Sequence, residues 1–187
     1  MDTPVVALLQ AVNVGGRGTV PMARLREVTT ALGHRDVSTW LATGNLLLRP
    51  RPDFTGDRAD LVAELTGQLR AELDLPLGLV VRTLDEMSAV VAANPYPEAA
   101  ADRPSRLIVM FYDGPVTEGS PDLTRYGPES ATFRHEEGYI DYVDGIGRSK
   151  LTGKALDRAA GAKGSGRNWN TVLALTRKLA DLGTVAG

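Results

Sequence analysis

The 187-residue sequence contains no cysteine. That removes disulfides, thiolate nucleophiles and cysteine-ligated metals together. Histidine is nearly as scarce, with His34 and His135 the two present. Neither sits in a metal-ligand pattern or a Ser-His-Asp pattern, so no metal and no cofactor are implied. Aromatic residues make up only 5% of the chain, which leaves little for the stacking platforms that single-strand nucleic-acid readers need. No apolar run reaches the roughly 18–20 residues of a membrane span. The start, Met1-Asp2-Thr3-Pro4, lacks the basic segment of a secretory leader. The expectation is a soluble cytoplasmic protein with no membrane partner.

What is present is the composition of a globular protein, 43% hydrophobic and 24% charged, enough for one sizeable core or two small ones. The net charge of −2 conceals an asymmetry. Residues 145–178 hold eight bases (Arg148, Lys150, Lys154, Arg158, Lys163, Arg167, Arg177, Lys178) against the single acid Asp157, a local +7 that leaves −9 for the rest. A basic block on an acidic chain favours an anionic ligand or partner at that end, unless these residues only form solvated helix faces.

Periodicity supplies the elements. Val5–Val14 reads as a strand covered on both faces. Pro21 suits a first helical turn, followed by Met22, Leu25, Val28 and Leu32 at helical spacing, with Gly33 as the stop. Val37–Ala42 and Leu46–Arg49 read as a hairpin around Thr43-Gly44-Asn45. Asp57 caps a helix whose stripe is Leu61, Leu65, Leu69 and Leu73, and Leu77–Arg82 is the next strand. The order β-α-β-β-α-β predicts a ferredoxin-like α+β part over residues 1–82.

Residues 83–187 read as a second, smaller α+β part, a looser variation on the same order. Thr83 and Glu86 form a capping box, and Asn94-Pro95 ends that helix. Pro95–Pro104 reads as a loop, Leu107–Tyr112 as a buried strand, and Thr132–His135 with Tyr139–Val143 as a hairpin. Two helices, Lys150–Ala160 and Trp169–Leu182, close the chain. Gly161–Gly166 between them reads as an open linker.

Four glycine- and asparagine-rich islands carry the candidate site. Asn13-Val14-Gly15-Gly16-Arg17-Gly18 follows a strand and precedes a helix, where free amides and the helix dipole suit an anion. It is neither a P-loop nor a dinucleotide fingerprint, and a strained turn would use the same glycines. Asn45 closes the hairpin island. Gly145–Lys150 repeats the logic of the first, with Arg148 and Lys150 adding charge beside Ser149. Ser149 beside Lys150 would also serve acyl transfer, although a helix-capping serine accounts for it more simply. Arg167-Asn168-Trp169-Asn170-Thr171 opens the last helix. One asparagine suffices as a cap, so the second, with the arginine and the indole, is spare for reading a ligand.

In the same order along the chain, these islands resemble a bacterial family, domain-of-unknown-function family 1697. The similarity lies in Asn13–Gly16, Val20-Pro21-Met22, Thr43-Gly44-Asn45, Asp144–Leu151 and Arg167–Thr171. The resemblance implies an α+β fold with a ferredoxin-like part and a soluble bacterial protein, and it implies no activity. This chain departs from the pattern at Gln10-Ala11 and at Thr19, where two positive charges are usual. The burden of anion binding therefore falls on Arg17, Arg148, Lys150 and Arg167.

Together these readings predict a small phosphate- or carboxylate-bearing ligand in a cleft between the two parts, lined by Asn13, Gly15, Gly16, Arg17, Asn45, Arg148, Ser149, Lys150, Arg167, Asn168, Trp169 and Asn170. The alternatives are a nucleic-acid-binding module using the basic C-terminal segment, and a purely structural or protein-interaction domain. An RNA-recognition mode is disfavoured, because the first and third strands carry no aromatic residue. Nothing in the sequence specifies an oligomeric state or an enzyme activity.

Overall fold

The computed structural model describes residues 3–10, 20–74 and 76–184. Asn13, Gly15, Gly16 and Arg17 therefore lie outside the described residues. The chain forms two compact units, one of Met1–Met87 with Leu175–Gly187 and the other of Ser88–Ala174.

The first unit contains β1 (Val5–Leu9), α1 (Met22–Ala31), β2 (Arg35–Trp40), β3 (Asn45–Arg49), α2 (Arg58–Leu73) and β4 (Leu79–Thr83). Its sheet has the order β2-β3-β1-β4, with every neighbouring pair antiparallel. That order is compatible with a ferredoxin-like arrangement. Val5, Ala7, Leu9, Leu46, Leu48, Leu79 and Val81 turn to one face, where Leu25 and Val28 of α1 and Leu61, Leu65 and Leu69 of α2 close the core. Val6, Leu8, Leu47 and Val80 point the other way and are buried as well. Burial on both faces is why β1 is apolar at every position rather than at alternate ones.

Local chemistry sets the helix ends. Asp57 and Asp60 cap α2 reciprocally, each side chain accepting the other's backbone amide. The last turns of α6 (Trp169–Thr184) belong to this unit. Arg49 donates to the Leu182 carbonyl at 2.8 Å, and the Lys178 ammonium sits 4.0 Å above the Trp40 ring.

The second unit takes over within α3 (Leu84–Ala92) and continues through α4 (Pro97–Asp102), β5 (Leu107–Tyr112), β6 (Ser130–Arg134), β7 (Glu137–Asp141), α5 (Gly153–Ala160) and β8 (Gly164–Asn168) into α6. Its antiparallel sheet runs β6-β7-β5-β8. The connectivity repeats that of the first unit: the first strand is central, between the third and the fourth. In each unit a helix starts directly after the fourth strand, α3 after Thr83 and α6 after Asn168. Ile108, Met110 and Tyr112 face α5 and its Leu156 and Ala160, while Leu107, Val109 and Phe111 are buried on the opposite face.

Three local expectations need correction. Gly161–Gly166 is not an open linker, because from Gly164 it is strand β8, paired along its whole length with β5. The glycines are what permit this. A Cβ on Gly164 would lie 2.8 Å from both Met110 Cε and Tyr112 Cε1, so the large side chains of β5 occupy the space that β8 leaves empty. Residues 95–104 contain the short helix α4, with Pro97 in its first turn. The helix after the basic loop begins at Gly153 rather than Lys150, because Thr152 is the residue that caps it.

Candidate functional site

Strand register brings the two C-terminal islands to one end of the second sheet. Asp141, the last residue of β7, pairs with Leu107 at the start of β5 and with Ser130 at the start of β6. Asn168, the last residue of β8, pairs with Ile108. The loop of residues 142–151 and the start of α6 therefore leave the sheet at the same end. The start of α5 is held there too, since the Tyr142 hydroxyl reaches the Leu151 carbonyl at 3.4 Å.

The 142–151 loop is a chain of tight turns. The Gly145 amide bonds to the Tyr142 carbonyl at 2.9 Å, the Arg148 amide to Gly145 at 3.1 Å and the Ser149 amide to Ile146 at 3.3 Å. Ser149 Oγ accepts the Leu151 amide at 2.9 Å, so the hydroxyl serves the turn. The segment before β5 braces the loop. Arg106 accepts the Tyr142 amide on its carbonyl at 3.1 Å and donates its guanidinium to the Val143 carbonyl at 2.7 Å. Arg103 grips the buried Asp141 carboxylate through two nitrogens, at 3.0 and 2.5 Å, the forked geometry that suits guanidinium and carboxylate. On this frame Arg148 and Lys150 are exposed, and neither makes an ion pair among the described residues. Ile146 stands between two glycines at the tip, 57% exposed.

The other island is largely committed to the fold. Arg167 is 7% exposed and donates to Ser165 Oγ and to the Gly166 carbonyl, both at 2.8 Å. Burial lowers its guanidinium to about 10. Asn168 Oδ1 accepts the Thr171 amide at 2.9 Å and so caps α6. Trp169 is buried, and its amide bonds to the Pro104 carbonyl at 3.2 Å. Asn170 is exposed.

Asn45 belongs to the first unit. It is buried, and its side-chain amide ties the hairpin through the Trp40 carbonyl at 2.8 Å and Thr43 Oγ1 at 3.1 Å. Of the predicted residues that the structure describes, Arg148, Lys150 and Asn170 are the ones presented to solvent.

Sequence reasoning passed over Glu129, the residue before β6. It is 8% exposed, and its Oε2 has no hydrogen-bond partner among the described residues. The carboxylate packs against Gly127, where φ is +145° and a Cβ would lie 2.7 Å from Oε2. The signal was faint: Glu129, Ala131 and Phe133 alternate as inward positions, with a carboxylate where an apolar residue is expected. Glu129 neighbours Tyr142, whose hydroxyl is pushed up to about 12 by burial and then by the Glu129 charge. Among the described residues no group of three carboxylates or histidines is close enough to hold a metal. Among the described residues, no helix is long and apolar enough to cross a membrane.

Fold and site together define an α+β protein of two antiparallel four-stranded sheets, with a braced basic loop at one end of the second. The chain belongs to the family described as "protein of unknown function (DUF1697)", whose model matches residues 2–140. The C-terminal islands fall beyond that matched segment. Among solved structures, a conserved bacterial protein from Streptococcus pneumoniae, SP0830, is similar in fold, with a TM-score of 0.65. The two are 20% identical over 96% of this chain and 99% of the other. No curated protein matches the sequence.

Proposed function

We propose that the Ser88–Ala174 unit binds a small phosphate- or carboxylate-bearing molecule at the end of its sheet, with Arg148 and Lys150 as the anion-holding groups. One observation carries this reading: two cations without ion-pair partners among the described residues stand on a loop fixed by its own backbone bonds and by Arg106. Cations left unpaired at a preorganised position are available to a ligand at little ordering cost. The starts of α5 and α6 at the same end add to it, because the helix dipole favours negative charge there. Asn170 supplies an exposed amide for the rest of the molecule.

A nucleic-acid reading draws on one further observation. Lys154 and Arg158 are both exposed on α5, four residues apart, and extend the basic surface beyond the loop. Thermal melting separates the two readings. A small phosphate monoester at about 100-fold its dissociation constant is expected to add roughly 2.7 kcal/mol of stability, and Arg148→Ala with Lys150→Ala removes the shift. Stabilisation by oligonucleotides alone, lost steeply with salt, favours the nucleic-acid reading instead. No shift with either contradicts both.

A further inference from the structure

We infer that Glu129 is the cation-reading group of this same site, so that the ligand is a zwitterion carrying an ammonium beside its phosphate or carboxylate. The inference rests on the anion-binding reading above and narrows its substrate class.

Three observations lead to it. The first is the state of the carboxylate. Glu129 is more than nine-tenths buried, Oε2 has no hydrogen-bond partner, and no cation pairs with it among the described residues. A buried carboxylate oxygen left without a partner is commonly completed by a ligand, ion or water. The second is the housing. Gly127 holds a backbone conformation that side chains rarely adopt, at the one place where a Cβ would collide with Oε2.

The third is location. Ser130 pairs with Asp141, which sets Glu129 beside Tyr142 at the same end of the sheet. Tyr142 in turn reaches the Leu151 carbonyl, and the Leu151 amide bonds to Ser149, between Arg148 and Lys150. The buried carboxylate and the loop that carries the two cations are thus tied to the same end of the sheet through Tyr142. A ligand with both charges would satisfy both ends. A ligand with only the anion would leave the carboxylate uncompensated. Glu129 sets specificity here and takes part in no bond-making step.

The test compares probes that differ only in the cation. Wild-type protein is titrated calorimetrically with 2-aminoethyl phosphate and with propyl phosphate, and likewise with β-alanine and with butyrate. The aminated member of at least one pair is expected to bind about tenfold tighter or more, the scale of one charged hydrogen bond. In Glu129→Gln that preference disappears while propyl phosphate or butyrate still binds, no more weakly than to wild type. Equal binding within each pair overturns the role of Glu129 and leaves anion binding standing. A preference that survives in Glu129→Gln also overturns it, since another group must then read the ammonium. If no probe binds, the anion-binding reading fails and this inference fails with it. The wild-type comparison stands alone should the variant fold poorly.

Discussion

Thr83 and Asn168 do the same work at matching places in the two units. Each is the last residue of the fourth strand, and each accepts the amide three residues ahead: Glu86 onto Thr83 Oγ1 at 3.3 Å, and Thr171 onto Asn168 Oδ1 at 2.9 Å. The strand-to-helix junction is thus a repeated device, and Asn168 is accounted for by capping. Asn168→Ala is expected to cost about 1 kcal/mol, and Asn168→Asp to restore most of it. Urea denaturation measures both. Binding of a phosphate monoester is expected to be unchanged in Asn168→Ala at temperatures where the variant is folded.

Strand β8 exists because its glycines make room. Gly164→Ala would set a methyl group 2.8 Å from Met110 and Tyr112, and overpacking of that kind costs about 1–3 kcal/mol. Gly67, within α2, has open space where a Cβ would go. Gly67→Ala is expected to stabilise by about 0.5–1 kcal/mol through helix propensity. Opposite signs in the two denaturation midpoints would confirm the packing account.

His34 gives the first unit an acid-sensitive point. Its Nδ1 accepts the Arg51 amide at 3.2 Å, which leaves the proton on Nε2, 3.2 Å from Glu64 Oε2. Burial lowers its pKa below the ordinary 6.5, with Glu64 opposing and Arg51 assisting. A second proton would have to displace the Arg51 amide. Because the folded-state value lies below the unfolded one, the His34 contribution is fully present above about pH 6.5 and declines as pH falls towards the folded-state value. Unfolding free energies of wild type at pH 7 and pH 5 should differ more than those of His34→Gln. An equal or smaller pH dependence in wild type would contradict the assignment.

Elements with strong side-chain periodicity were legible in the sequence. Leu107–Tyr112 was bounded to the residue, the Asp57 cap was located by its oxygen-bearing side chain, and the Thr83 cap by its hydroxyl and the acid three residues on. Strand β8 was not, because Gly-Ser-Gly has no pattern of its own and its identity is set by the side chains of β5. At the site, local reading recognised that Arg148 and Lys150 carry charge. It could not see that Arg167 and Trp169 turn inward, nor that Glu129 is enclosed. Burial of those side chains is decided by strands distant in sequence.

The proposed binding of anions at the end of the second sheet rests on Arg148 and Lys150. Backbone amide shifts recorded during a titration with 2-aminoethyl phosphate test it most directly. Saturable shifts are expected, concentrated in residues 144–154 and 168–171 and abolished in the Arg148→Ala, Lys150→Ala double variant. Shifts elsewhere in the chain, or unchanged saturation in the double variant, would contradict it.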